Sequence, residues 1–402
     1  MKALRGASNG SAPLRRRRRS GKSLRARMSV AAQVLLDDRS LPDFLRSAGL
    51  AQADDAVLVE PAGDGNINWV RRARVPARGA SWIVKQARPT LERFPEYSAS
   101  TERIVFERRW FELAGAVDCE SVCPRILHFD ETRRVLVLED LGDAERLDHA
   151  LARGTDVSAA LAAVARLLAA VHRATRDPAI AARFTNTEMQ TLHGEHVFRL
   201  PFEPNDFPLE APLRARAERV WRDAELGAIA ARAYARFREP RGALLHGDVQ
   251  AGNILVPVAG GAKLLDAEIA HVGDPAFDVG MLLGHVLLAG LAHGALAPAA
   301  GVARATWAAY ADAAGELAPP FADGARYAGI EVLRRTIGAA RVAAVADTGV
   351  ALAAVDLAAQ LIRTPAATAD ALTGDLRAFA GNSAAPHGRS TMTTPARTGG
   401  AR

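Results

Sequence analysis

Cysteine is nearly absent. The chain holds two, Cys119 and Cys123, so it can build neither a four-cysteine zinc site nor a disulfide scaffold. Thiols four residues apart leave open a metal chelate or a redox pair. The plainer reading is two ordinary thiols in a loop before Pro124, and such sparing use suits a reducing cytoplasm. Aromatic residues are scarce too, 5% of 402, while alanine, arginine and glycine abound, which reflects a high-GC genome and not a function. No run reads as a membrane span. The longest apolar stretch, Val279 to Ala303, is broken by His285, His293, several glycines and Pro298, and fits a buried helix, a turn and a second helix.

Acid is missing from the first 27 residues. They carry Lys2, Arg5, Arg15 to Arg19, Lys22, Arg25 and Arg27, ten positive charges, so the rest of the chain stands at net −4 although the whole is +6. The high isoelectric point therefore belongs to an arm, and the mildly acidic body argues against a nucleic-acid-binding face on the core. Three readings of the arm, residues 1–28, stay open. It is a disordered polybasic segment for nucleic acid or anionic lipid, an export signal, or an artefact of start assignment upstream of Met28. The export reading is the weakest, because the apolar run Val30 to Leu36 is short and is stopped by Asp37 and Asp38. Residues 381–402 are Gly, Ser, Thr, Pro, Ala and Arg with hardly an apolar anchor, and are expected to be disordered. The whole chain is 49% apolar, enough for a sizeable core between arm and tail.

That central part changes character along its length. Residues 29–50 read as a short helix through Leu41-Pro42-Asp43-Phe44-Leu45 that ends at Gly49. Val57 to Glu60, Ile67 to Val75 and Ser81 to Gln86 read as strands, the last two joined as a hairpin across Pro76 to Ala80. Thr101 to Ala114 has an apolar stripe at helical spacing, and Val135 to Glu139 is a further short strand. Ser158 to Ala174, 212–237 and 325–362 read as helices. The expected fold class is α+β with two lobes: 29–140, small and mainly β, and 141–380, larger and mainly α, with Glu139-Asp140-Leu141 as the hinge.

The chemistry concentrates after Leu245. The run His246-Gly247-Asp248-Val249-Gln250-Ala251-Gly252-Asn253 is followed by an apolar strand, then by Lys263-Leu264-Leu265-Asp266-Ala267-Glu268. Phosphoryl transfer needs a carboxylate beside the acceptor hydroxyl, oxygen ligands for Mg²⁺ and positive charge on the phosphates. Asp248 can accept the hydroxyl proton. Asn253, five residues on across a tight loop, can offer an amide oxygen to the metal. Asp266 ends a strand at the mouth of a core, and Glu268 can add a second carboxylate. Singly, a His-Gly-Asp is a turn and an Asp-x-Glu a solvated loop; in this order, with a strand between, they point to a kinase-type site.

These residues resemble the aminoglycoside phosphotransferase and choline kinase superfamily, whose catalytic loop reads H-G-D-x-x-x-x-N and whose fold is protein-kinase-like. The resemblance implies an ATP-dependent, Mg²⁺-requiring cytoplasmic kinase acting on a small-molecule alcohol or sugar. Asp248 is then the base, His246 orients the loop, Asn253 and Asp266 hold metal, and Asp278 bonds back to the loop from the next helix. Gly63-Asp64-Gly65-Asn66 matches the phosphate-covering loop, and its backbone N–H groups would cradle phosphates. Lys85 would pair with the α/β-phosphates, held by Glu107, with Glu102 as the runner-up. Glu139 to Leu141 would line the adenine pocket. No membrane or nucleic-acid partner is implied for the folded core, and a homodimer is one expectation.

Within that superfamily the chain is closest in appearance to the 5-methylthioribose kinases. The likeness runs through Gly63 to Asn68, Ile83 to Ala87, His128-Phe129-Asp130 and Leu138 to Leu141. It continues through Asn186, Met189, Leu192, His196, Phe198, Pro201 and Phe202, and through Asp266-x-Glu268. Arg334-Arg335 resembles a paired-arginine motif that contacts the sugar. By composition alone such a pair is a surface feature, and since neighbours on a helix diverge by about 100°, at most one would face a cleft. Two departures stand: those kinases usually have Ser at the position of Asn253, and their stretch after the metal motif is more aromatic than Ile269-Ala270-His271-Val272-Gly273. An aminoglycoside or amino-alcohol kinase, and a non-catalytic nucleotide-binding pseudokinase, are the competing expectations.

Overall fold

The computed structural model describes residues 33–63, 67–90, 98–240 and 242–373. The arm 1–28, the tail 381–402 and the loop residues Asp64, Gly65 and Asn66 lie outside the described residues. The first helix, α1 (Leu41–Ser47), is shorter than the 29–50 reading. Asp37 explains its start. The Asp37 carboxylate accepts the N–H groups of Arg39 and Ser40, a local turn that competes with helix, and Pro42 fixes the first turn.

Alternation then builds a sheet. Strands β1 (Leu58–Pro61), β2 (Trp69–Val75) and β3 (Ala80–Gln86) come first, followed by helix α2 (Arg103–Gly115) and strands β4 (Ile126–Asp130) and β5 (Val135–Glu139). They form one antiparallel sheet in the order β1-β2-β3-β5-β4. Trp82 and Val84 of β3 share a face with Val135 and Val137 of β5, buried under Leu41, Phe44 and Leu45 of α1. Ile83 and Lys85 therefore face the other way, toward Leu136, Leu138 and the α2 side. Period two thus aims a lysine at the interior.

The rest is mainly helical. Strand β6 (Glu145–Arg146) leads into helices α3 (Leu147–Ala152), α4 (Ser158–Ala174), α5 (Pro178–Arg183), α6 (Thr187–Phe198), α7 (Ala211–Trp221) and α8 (Ala224–Phe237). Four short strands follow: β7 (Ala243–Leu245), β8 (Ile254–Val256), β9 (Lys263–Leu264) and β10 (His271–Gly273). Strand β7 pairs with β10, and β8 lies between β6 and β9. The chain closes with α9 (Ala276–Ala292), α10 (Leu296–Ala314), α11 (Phe321–Ile337), α12 (Thr348–Arg363) and α13 (Pro365–Thr373). Helix α9 is apolar apart from Asp278 and His285 and is buried almost throughout, as the central helix of a core should be. Its Gly280 lets α11 come close, since a Cβ there would lie 2.6 Å from the Gly324 carbonyl oxygen. No helix among the described residues is long and apolar enough to cross a membrane.

Candidate active site

The loop between β7 and β8 is fixed from beneath. Asp278, fully buried near the start of α9, accepts the backbone N–H of His246 at 2.7 Å and of Gly247 at 3.0 Å. His172 backs it at 3.3 Å, with its other ring nitrogen on the Tyr310 hydroxyl. Gly247 has φ +87, and a Cβ there would sit 2.9 Å from the Ile269 carbonyl oxygen, so only glycine fits. The His246 ring lies edge-on to Trp110. Its Nδ1 accepts the Asp248 N–H at 3.3 Å, which puts the ring proton on Nε2, donated to the Leu265 carbonyl at 2.9 Å. Burial holds this imidazole below its ordinary pKa. Both nitrogens are therefore spent on backbone, one on each of the two segments.

That bond joins the two halves of the motif. Leu265 N–H also donates to the Asn253 carbonyl at 2.8 Å, so the residue before Asp266 is tied both to His246 and to Asn253. Asp266 itself has φ +66, rare for a residue with a side chain. On the loop, Asp248 Oδ2 accepts two amide N–H bonds, from Asn253 Nδ2 at 3.0 Å and Gln250 Nε2 at 3.1 Å. Asp248 Oδ1 is buried and has no partner.

Lys85 stands opposite. Its Nζ donates to Glu107 at 2.9 Å and to Asp266 Oδ1 at 2.7 Å. Burial disfavours the ammonium, but Asp266, Glu107 and Glu268 more than offset this and raise its pKa above the usual lysine value. Burial pushes the Glu107 carboxyl up to about 7, against the pull of Lys85. Glu102, the runner-up, instead pairs with Arg134. Glu268 is engaged elsewhere than at Asp266: its Oε2 accepts Asn68 Nδ2 at 2.9 Å, with Arg103 Nε at 3.4 Å. Fully buried Arg103 also binds Asn68 Oδ1 and the carbonyls of Ile67 and Arg88.

A cleft of about 1130 Å³ collects these groups. Gly63, Lys85, Glu107, Glu139, Asp140 and Leu141 line one side; Asn253, Asp266 and Arg335 line another. Asp248 stands one hydrogen bond behind Gln250 and Asn253, which both line it. Among the described residues no three histidine, cysteine or acidic side chains form a ready metal cage, so any metal would rest on mixed donors. The paired arginines are not a surface feature. Both are buried, and both bind Glu331, Arg334 at 3.1 Å and Arg335 at 2.5 Å. Arg335 also donates to Gln250 at 2.7 Å.

Glu331 and Gln250 are the residues that motif reading passed over. Glu331 precedes the arginines by three and four positions, a spacing at which helical side chains meet, so the signal was present. It sits buried between the two guanidiniums and His285. Burial opposes its charge, and Arg334, Arg335 and His285 overcome this, holding the carboxyl well below its ordinary value.

The phosphotransferase enzyme family matches residues 58–320 of this chain. The methylthioribose kinase of Erwinia tasmaniensis is 30% identical over 340 residues, covering 73% of this chain and 84% of that protein. The enzyme of the same name from Cronobacter sakazakii is 31% identical over 252 residues, 60% of this chain and 62% of that one. Among solved structures, a choline/ethanolamine kinase family protein from Mesorhizobium loti superposes with a TM-score of 0.47 at 17% identity, covering 82% of this chain and 98% of that one.

Proposed function

The chain belongs to the phosphotransferase enzyme family and is an ATP-dependent small-molecule kinase, and from that premise we propose that it phosphorylates a hydroxyl of methylthioribose or a related sugar. The observation that carries the reading is that the Lys85–Glu107–Asp266 cluster and the loop after Asp248, through Gln250 and Asn253, bound one cleft, with Asp248 one hydrogen bond behind them. Residues 29–140 serve as the nucleotide-binding lobe and 141–380 as the catalytic and acceptor lobe.

The residues fit a magnesium-nucleotide. Asp266 Oδ2 and Asn253 Oδ1 are hard oxygen donors of the kind that Mg²⁺ takes, and Lys85 already occupies a cation's place beside Asp266. Among the described residues, the salt bridges of Glu107, Asp266 and Glu268 run to Lys85 and Arg103, three acids to two cations. When bound, the metal neutralises charge on the transferring phosphate. Lys85 steadies the phosphates and Glu107 holds Lys85. Glu139 to Leu141 border the adenine, and Gly63 borders the phosphates. Asp248 takes the acceptor's proton on Oδ1, because Oδ2 is filled by the two amides. His246 orients the loop and touches no reactant. Arg335, on the cleft wall and fixed by Glu331, meets the sugar.

The test is a panel of phosphoacceptors, methylthioribose first, with wild type and Asp248→Asn. The variant should lose about 10³-fold in turnover while ATP affinity is kept. Wild-type turnover by Asp248→Asn would refute the role given to the base.

A further inference from the structure

Two buried polar atoms near the base lack partners, and they face each other. One is Asp248 Oδ1, the other His193 Nε2, 4.0 Å apart. Unpaired buried polar atoms are rare in folded proteins, and each one asks for an explanation. A facing pair beside a reaction centre asks for a joint one. The His193 ring is set by packing: α6 carries it between Phe237 and Phe277, with ring centroids 6.3 and 6.2 Å away, and only 6% of the residue is exposed.

Resting on the kinase reading above, we propose that His193 is a positioning residue for the catalytic base: its Nε2–H is the donor that Asp248 Oδ1 lacks, engaged when the acceptor side of the cleft closes by about 1 Å. Burial, and next Arg334, hold this imidazole well below its ordinary pKa, so the ring is neutral and can carry its single proton on Nε2. The carboxylate is then clamped at both oxygens, by Gln250 and Asn253 on Oδ2 and by His193 on Oδ1. Oδ1 keeps a second lone pair. During transfer the acceptor O–H bond breaks and its proton moves to that lone pair. The acceptor oxygen bonds to phosphorus as the bond from phosphorus to the ADP oxygen breaks. His193 gives up no proton and is unchanged at the end.

His193→Phe keeps an aromatic ring in the aromatic shell and deletes Nε2; His193→Gln returns an amide N–H at a similar reach. For His193→Phe, kcat should fall about tenfold or more, the worth of one hydrogen bond to a charged group. KM for ATP and acceptor should stay within about threefold, and His193→Gln should recover most of the rate. Retention of kcat by His193→Phe, or equal damage from both substitutions, would overturn the proposal. A second measurement needs no turnover: in ¹⁵N-histidine spectra of the whole chain with ADP and methylthioribose added, Asp248→Asn should displace the His193 Nε2 resonance, and an unmoved resonance overturns the pairing. The two readings fail separately. Wild type that phosphorylates no alcohol while the resonance moves refutes the proposed function and keeps the pairing. Asp248-dependent transfer with His193→Phe unaffected does the reverse.

Discussion

Replacing Lys85 with methionine isolates the electrostatics of the cleft. The substitution keeps the length of the side chain and removes the ammonium that Glu107 and Asp266 share. Glu107, with no exposed surface, is left as a buried carboxylate without its partner, a situation that costs about 3–5 kcal/mol when one member of a buried pair is deleted. Protonation offers an escape. Burial has already pushed Glu107 up to about 7, Lys85 alone pulling against it while Asp266 and Glu268 push further, so losing the lysine moves the carboxyl higher still. An acid whose folded pKa exceeds the unfolded 4.5 holds in the native state a proton that the unfolded chain has released. Stability then falls as pH rises from there through the folded pKa, by about 1.4 kcal/mol per pH unit. In wild type that window closes near 7; in Lys85→Met it continues upward. Urea unfolding at a series of pH values should therefore show the gap between the two proteins widening as pH rises above about 7 and narrowing toward acid. The double variant Lys85→Met/Glu107→Gln should remove the slope and recover roughly 2 kcal/mol. A gap independent of pH, or no recovery in the double variant, would show that Glu107 does not bear the cost.

Asp278→Ala leaves the N–H groups of His246 and Gly247 without acceptors; thermal unfolding should register about 3 kcal/mol, with turnover collapsing because the loop carrying Asp248 loses its anchor. Gly247→Ala forces a Cβ to 2.9 Å from the Ile269 carbonyl at φ +87, and should cost about 2 kcal/mol or more by the same measurement. Glu331→Gln tests the acid limb. A carboxyl held well below the ordinary 4.5 stabilises the fold above that pH and loses the contribution as pH falls through its folded pKa. The variant should be weaker at neutral pH and lose less than wild type on acidification, read from acid-unfolding midpoints.

Much of the scaffold was legible because it obeys simple periods. Strand β5 and helix α4 have the bounds that their apolar patterns give, and the hairpin across Pro76 forms where the turn chemistry puts it. The 29–50 helix was overextended because a side-chain turn at Asp37, not hydrophobic spacing, decides where α1 begins. The Asp248 loop could be read because its residues are local in sequence. Long-range pairings could not. Nothing in the sequence around Glu268 announces that Asn68, 200 positions away, would take its oxygen, nor that Tyr310 would stand behind His172 and Asp278. His193 escaped for the same reason, since one histidine on a helix carries no signal until the fold sets it against Asp248.

The same ion pairs bear on the charge of the acceptor. A polycationic acceptor such as an aminoglycoside needs carboxylates with spare hydrogen-bonding and charge to spend. Away from Lys85, the acids that line the cleft already hold partners. Glu139 binds Arg125 and Lys263, Asp140 binds Arg72, Asp148 binds Arg146, and Asp347 caps α12 through the Val350 N–H. Glu107 and Asp266 share Lys85. Arg335 and Arg341 line the wall as well, and like charge repels. A neutral sugar meets no such opposition and gains donors from Arg335. An aminoglycoside at about 1 mM should therefore fail to slow phosphorylation of a neutral sugar, since weaker binding than a millimolar Kd means less than about 4 kcal/mol of attraction. Inhibition competitive with the sugar at micromolar aminoglycoside would show that some of these carboxylates exchange partners readily, and the case for a neutral acceptor would fall with it.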